Sequence, residues 1–439
     1  MRTISWSKLD KKAQEELLAR PVQKTDSQLK GIVTEIIDAV RSSGDQAVRS
    51  FTKNFDKVDL VDLKVTAEER DTKIAKVSAD NRTAIEVAAK NIAAFHEAQR
   101  RPNLVLETMP GVTCKRVTKP IERVGLYVPG GSAPLPSTVL MLGIPSKIAG
   151  CQTRVLCTPP QKDGSIDPHI LYAAEISGIK DIYKIGGAQA VAAMAYGTET
   201  VAKVDKIFGP GNSFVTEAKL QVAMDGAGAM FDMPAGPSEV LVLADASADA
   251  EFVAADLLSQ AEHGPDSQVL LITDSEELAS ATQAAVSSQI SRLSRAAIAE
   301  KALEHSAIII TENIDEAVAI SNRYGPEHLI IQTAQSEQLS EKILNAGSVF
   351  VGAWTPESVG DYASGTNHVL PTYGYTRSLS GLSLSSFMLE ITMQSLTRNG
   401  LNDLGPTVAR LASIEGLDAH RNAVDLRLKK ITATLEEKK

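Results

Sequence analysis

Two stretches of this chain combine residue types that bind cations and move protons. In SQAEHGPDSQVLLIT, Ser259 to Thr273, Gln260 and His263 stand at the end of an amphipathic segment. Ala254, Leu257, Leu258 and Ala261 recur at helical spacing and predict a helix from about Asp249 to His263. Gly264 suits the left-handed position after a helix, and Pro265 cannot continue one. On that helix Gln260 and His263 lie about 60° apart on one flank, in the last turn, where unpaired carbonyls favour a cation. A histidine and a side-chain oxygen so placed could hold two corners of one metal ion; a polar helix end closed by Gly-Pro is the plainer reading. The second stretch is ISNRYGPEHLIIQT, Ile320 to Thr333. A helix beginning near Asp315 again meets Gly-Pro, at Gly325–Pro326, and an apolar strand, Leu329–Gln332, follows. Between them Glu327 and His328 offer a carboxylate and an imidazole, the two commonest proton carriers.

Both stretches read helix, Gly-Pro, polar pair, strand. If their strands share one parallel sheet, Gln260, His263, Glu327 and His328 converge on the same edge of it. Ligands of open α/β sheets generally sit at the opposite, carboxyl edge, so this site is expected to face another domain or subunit. The elements that must position it form two series. From Val112 to Val240 the runs GLYV, RVLC, DIYKI and KIF alternate with helical stretches; from Glu239 to about Gly352 the runs EVLVLAD, VLLIT, AIIIT, LIIQ and SVFVG do the same. Strands alternating with helices mean α/β architecture with parallel sheets, and two series suggest a duplicated one. Residues 26–100 read as helices, with a capping box at Thr66–Glu69, and residues 1–25 as an arm. Residues 353–381 are too long for an idle loop, and from about Leu382 the chain reads as helical to a charged tail.

Composition bounds the function. At 439 residues the chain exceeds one core, and 43% hydrophobic with 23% charged residues is ordinary for a globular protein. A net charge of −9 argues against nucleic acid and anionic membrane as partners. No apolar run approaches a bilayer span, and the N-terminal residues carry no secretion signal. Cys114, Cys151 and Cys157 form no CxxC and cannot all pair, which fits a reduced cytoplasmic compartment and core thiols rather than a catalytic one.

No GxGxxG follows a strand, so a standard dinucleotide fingerprint is absent. Three other glycine turns stand where strands meet loops or helices: YVPGGSAPLPST (Tyr127–Thr138), GGAQA (Gly186–Ala190) and GPGNSF (Gly209–Phe214). Amides at such helix starts bind phosphate, and Gln189 and Asn212 suit a ribose or amide; tight α/β turns need glycine anyway. Tyr127 could line the same crevice or simply pack. Asp361, in PESVGDYASGTNHVLPTYG with His368, supplies a hard anionic oxygen or an ordinary turn. Ser238 could bind ligand or cap a turn. His420, five residues after Glu415 in SIEGLDAHRNAV, would on its own read as solvated. His96, His169 and His305 show no partner pattern.

Taken in order, VGLYVPGGSAPL, IGGAQA, KIFGPGN, DMPAGPSEVLV, DLLSQAEHGPDSQ, YGPEHL and GDYASGTNHVLPT resemble the histidinol dehydrogenases, and the resemblance spans nearly the whole chain. It implies oxidation of L-histidinol through histidinaldehyde to L-histidine, the last step of L-histidine synthesis, with two NAD⁺ and one zinc. It implies a homodimer of two incomplete Rossmann-like α/β domains with small N- and C-terminal helical segments exchanged between subunits. The implied division is an arm over 1–25, a first domain over 26–105 and 239–381 carrying metal and catalytic residues, an NAD-binding domain over 106–238, and a helical domain over 382–439 serving the partner's site. Zinc would fall to Gln260, His263, Asp361 and His420, the last from the partner, and catalysis to Glu327 and His328. Substrate would meet Ser238, Gln260, His263, His328, Asp361, Glu415 and His420; NAD would meet Tyr127, Gln189 and Asn212. Other readings are a related zinc- and NAD-linked dehydrogenase of another polar alcohol, a zinc hydrolase using Glu327, and a silent binding protein.

Overall fold

The runs EVLVLA (Glu239–Ala244), QVLLIT (Gln268–Thr273) and HLIIQ (His328–Gln332) lack the alternation of a half-exposed strand, and every residue in them is buried. Such strands belong in a parallel sheet covered on both faces. The computed structural model, which describes residues 1–21, 27–130, 133–234 and 236–436, places them there. Residues 22–25 of the expected arm, Gly131 and Ser132 of the first glycine turn, Ala235 of MPAGPSEV and the last three residues of the tail lie outside the described residues.

The described chain divides into two compact units. The larger, Met1–Gln99 with Ile121–Phe387, holds two parallel sheets. One has the spatial order Arg2–Ser5, Ala307–Ile310, Gln268–Thr273, Glu239–Ala244, His328–Gln332, Ser348–Val351. The other runs Asp181–Lys184, Thr153–Thr158, Arg123–Tyr127, Lys206–Phe208, Met230–Phe231. Apart from the N-terminal strand the two orders are the same: three strands grow outward one way, then two the other. That is the doubly wound Rossmann pattern short of its last strand, so the duplicated architecture is real at the level of topology.

Several expectations need correcting. The N-terminal arm supplies the edge strand Arg2–Ser5, in register with Ala307–Ile310, and Trp6, Leu17 and Leu18 are buried under it. The helix Ser27–Phe55, grouped by the resemblance with 239–381, places Val33, Ile36, Ile37, Val40 and Val48 in one core with Tyr127, Cys157 and Val191 of the 121–231 lobe. The stretch after Leu382 is not all helix: it enters a nine-residue strand, Met388–Leu396.

That strand belongs to the smaller unit, Arg100–Pro120 with Met388–Lys439. There it pairs antiparallel with Val112–Pro120, which pairs with Leu104–Met109. The helices Arg398–Ile414 and Asp418–Glu436 complete the unit, Gly405 of the first lying against Leu428 of the second. Leu104, Val105, Leu106, Ile391, Leu411 and Ile414 remain exposed on it. Among the described residues no helix is long and apolar enough to cross a membrane.

Candidate active site

The helix that carries Gln260 runs Ala250–Ala261, with Asp249 capping its first amides. It ends two residues before the sequence suggests, because the amide of His263 turns back to the carbonyl of Gln260 and closes a tighter last turn. Gly264 is not left-handed here. Gly325 is: it ends the helix Ile314–Tyr324 at φ +63°, a conformation that would strain a residue with a side chain. Both turns deliver their polar residues to the amino edge of one sheet, since the strands starting at Gln268, Glu239 and His328 are parallel neighbours.

The cluster is buried and acidic. Gln260 is 1% exposed, Glu327 7%, His328 3% and Glu357 1%. A ligand atom each of His328, Glu357 and Asp361 lies within 4.8 Å of the others, from one turn of helix, Glu357–Tyr362, facing the start of a strand. The main chain of Glu239 organises the pair: its amide donates to Glu327 Oε2 at 2.9 Å, and its carbonyl accepts from His328 Nδ1 at 3.0 Å. Nε2 of His328 is thereby the free position; it makes no hydrogen bond, with Asp361 Oδ1 3.4 Å away. Gln260 donates its amide N–H to Glu357 Oε1, and Ser259 donates its hydroxyl to Oε2 at 2.8 Å. Because a carboxylate can only accept from the amide nitrogen, Gln260 Oε1 is left buried and, among the described residues, without a partner.

Burial, followed by the neighbouring Asp361 carboxylate, pushes the Glu357 carboxyl up. Burial also raises Glu327, against the pull of His328 and the Glu239 amide. Burial opposes the charge on His328, but Glu327, Asp361 and Glu357 outweigh it and raise its pKa. Asp361 goes the other way: despite burial, His328 and Glu357 hold it below the usual carboxylate range. His263 stands at the exposed rim, yet the protein mass around it lowers its pKa, and Asp361 and His328 both act on its charge. His368 anchors the loop by donating from Nδ1 to the Asp361 carbonyl at 2.8 Å.

The donor set fits a divalent cation. A buried orphan amide oxygen, an aspartate held below the usual carboxylate range and a histidine whose pKa is lowered are the kinds of donor a zinc ion takes. Ser238 is half-buried immediately before Glu239. Glu415 and His420 belong to the smaller unit, the first capping the helix Arg398–Ile414 and the second exposed in the next helix.

The second lobe holds a cavity of about 880 Å³ at the carboxyl ends of Arg123–Tyr127 and its neighbours, by the switch point between Arg123–Tyr127 and Lys206–Phe208. Tyr127, Gln189 and Asn212 all line it. The Gly187 amide donates to the Tyr127 hydroxyl at 3.0 Å, Asn212 caps the helix Ser213–Met224, and Gln189 Oε1 is buried without a partner. Gly209 sits at φ +116°, where a Cβ would meet the Tyr127 carbonyl at 2.0 Å, and its amide donates to Asp232, which pairs with buried Lys219 at 2.8 Å.

Fold and sites together define an α/β enzyme with a charged, cation-fitting cluster in one lobe and a nucleotide-sized crevice in the other. The family model for histidinol dehydrogenase matches residues 18–428. A histidinol dehydrogenase of Vibrio cholerae is 57% identical, over 98% of this chain and 99% of its own. One from Vibrio vulnificus is 55% identical over 99% and 100%. The crystal structure of histidinol dehydrogenase from Elizabethkingia anophelis superposes with a TM-score of 0.95 at 50% identity, covering 98% of this chain and 99% of that one. The chain belongs to the histidinol dehydrogenase family.

Sequence reasoning missed Glu357 and Glu239. The first had a signal, a carboxylate four residues before Asp361 and so on the same helical face. The second had none, because its contacts with Glu327 and His328 are made by its backbone.

Proposed function

We propose that this protein oxidises L-histidinol through histidinaldehyde to L-histidine, the last step of L-histidine synthesis, using NAD⁺ and zinc. Family membership carries the reading, and the two sites support it. Gln260 Oε1, His263 and Asp361 would hold the metal together with His420 from a second copy of the chain. Bound zinc would grip the imidazole and amine of the substrate, and NAD⁺ would accept the two electrons lost in each oxidation.

The chain's own residues handle protons. His328, anchored through Nδ1, presents Nε2 to take the hydroxyl proton of histidinol as the first oxidation proceeds. Of the carboxylates that favour its proton, Asp361 is the one a bound cation would engage, which would lower that preference. The aldehyde must gain water before it can be oxidised again. Glu327, buried beside His328, is suited to take the proton from that water, and His328 serves again in the second oxidation. Ser238 and Glu415 complete the substrate contacts; Tyr127, Gln189 and Asn212 contact NAD. The apolar residues left exposed on the smaller unit support a homodimer that shares its sites. Three unpaired thiols fit work in the cytoplasm.

The test is NADH formed per L-histidinol consumed by chelator-stripped protein, before and after zinc is restored. Two NADH per substrate, with metal only, is expected. One NADH with aldehyde released would overturn the four-electron reading in favour of an ordinary alcohol dehydrogenase.

A further inference from the structure

The crevice in the 121–231 lobe contains a carboxylate that the proposed reaction does not use. Asp56 follows the helix Ser27–Phe55 and lines the cavity with Tyr127, Gln189 and Asn212. Its Oδ2 is buried and makes no hydrogen bond among the described residues. Burial alone raises its pKa, with no cation to oppose the shift, and its charge acts on Tyr127. A buried carboxylate oxygen without a donor costs stability unless a ligand supplies one.

The rest of the lining says what that ligand must be. It includes two carboxylates, Asp56 and Asp167, and among the described residues no lysine or arginine. Asp167 is already engaged, accepting from the His169 amide at 2.8 Å and its ring Nδ1 at 2.9 Å. Lys219, near Asn212 in sequence, is held by Asp232 and the Gly209 carbonyl. Asp56 is therefore the carboxylate left over, in a cavity whose described lining offers no cation to neutralise an extra phosphate. Beside it Phe55, Ile32 and Ile36 present an apolar wall on which a base can lie.

Resting on the reading of this crevice as the dinucleotide site, we infer that Asp56 accepts hydrogen bonds from the adenosine ribose diol and excludes nucleotides phosphorylated at its 2′ oxygen. A diol gives the carboxylate two donors; a 2′-phosphate removes one and sets two anions together without a cation.

The experiment is calorimetric titration of the intact protein with NAD⁺ and with NADP⁺, for the wild type, Gln189→Ala and Asp56→Asn. Wild type should prefer NAD⁺, and Gln189→Ala should weaken both nucleotides alike. Asp56→Asn should narrow the NAD⁺ to NADP⁺ affinity ratio by roughly tenfold or more, the worth of a charge-assisted hydrogen bond. An unchanged ratio in Asp56→Asn, with Gln189→Ala still weakening NAD⁺, would overturn the role of Asp56 alone. Unchanged NAD⁺ affinity in Gln189→Ala would overturn the crevice as cofactor site, and the inference with it. Removing an unpaired carboxylate should leave the melting temperature unchanged or higher; should Asp56→Asn melt lower, Asp56→Ser replaces it for the same ratio.

Discussion

Replacing Arg20 by methionine should loosen the catalytic pair although Arg20 touches neither member of it. Arg20 grips Glu239 with two hydrogen bonds, of 3.0 and 2.9 Å, donates to the Gly325 carbonyl at 3.1 Å, and lies 3.6 Å over the Tyr324 ring. The side chains are 11% and 2% exposed, so water cannot replace either partner. Leaving one member of such a pair alone costs about 3–5 kcal/mol. The Tyr373 amide still donates to Glu239 at 2.7 Å, which sets the expectation at the lower end, about 3 kcal/mol. Because two lobes need not unfold together, the assay is native-state hydrogen exchange on peptides covering Glu239–Ala244 and His328–Gln332. The cycle adds Glu239→Gln and the double variant, which should be less damaged than the sum of the singles by about 2 kcal/mol. The same Arg20→Met protein should show reduced kcat with an unchanged KM for NAD⁺. Exchange protection reduced by less than about 1 kcal/mol would refute the argument that this buried pair holds the start of the strand.

Three further outcomes are expected. Glu327→Gln should slow conversion of histidinaldehyde more than oxidation of histidinol to the aldehyde, read by supplying each separately; equal losses would remove its role in hydration. His263→Ala and His420→Ala should each bind zinc poorly, and subunit exchange between them should restore up to one site per heterodimer, read as regained activity and zinc content. Asp256, whose carboxyl accepts from Gln332 at 2.7 Å, has its pKa pushed by burial to about 7. A raised carboxyl binds its proton more tightly when folded, so this contribution to stability is present below about pH 4 and is lost as pH rises toward 7. Asp256→Asn should flatten that slope in urea melts and gain most near pH 8, by up to about 4 kcal/mol.

What was legible in the sequence was what depends on short range. Gly325-Pro326 and the apolar run behind it announce a helix stop and a buried strand, and both are found. The convergence of Gln260 with Glu327 and His328 followed from parallel strands alone. The orientation of Gln260 did not, since it depends on a carboxylate 97 positions away. Nor was the arm's docking legible: Arg20 meets Glu239 across 219 positions. The strand Met388–Leu396 did carry alternation, with Leu389, Ile391 and Met393 on one face, and the reading as helix ignored it. His420 shows the limit. Nothing near it in the chain marks an exposed helical histidine as a ligand, and only the family resemblance assigns it.

The edge strand at the N-terminus also sets a timetable. Residues 2–5 leave the ribosome long before the strand they pair with, which ends at Ile310, and Glu239 appears long after Arg20. The lobe of residues 27–231 can assemble while the chain is still being made, because its strands and helices are all in hand by then. The other sheet cannot close until Val351, about four fifths of the way along the 439 residues, has been synthesised. Until that moment the sheet has an open edge beside His328–Gln332, where Ser348–Val351 will pair. Nascent chains of this protein therefore need protection most over the span from Glu239 to Val351, and deletion of residues 1–5 should harm yield more than it harms the finished enzyme's dinucleotide crevice.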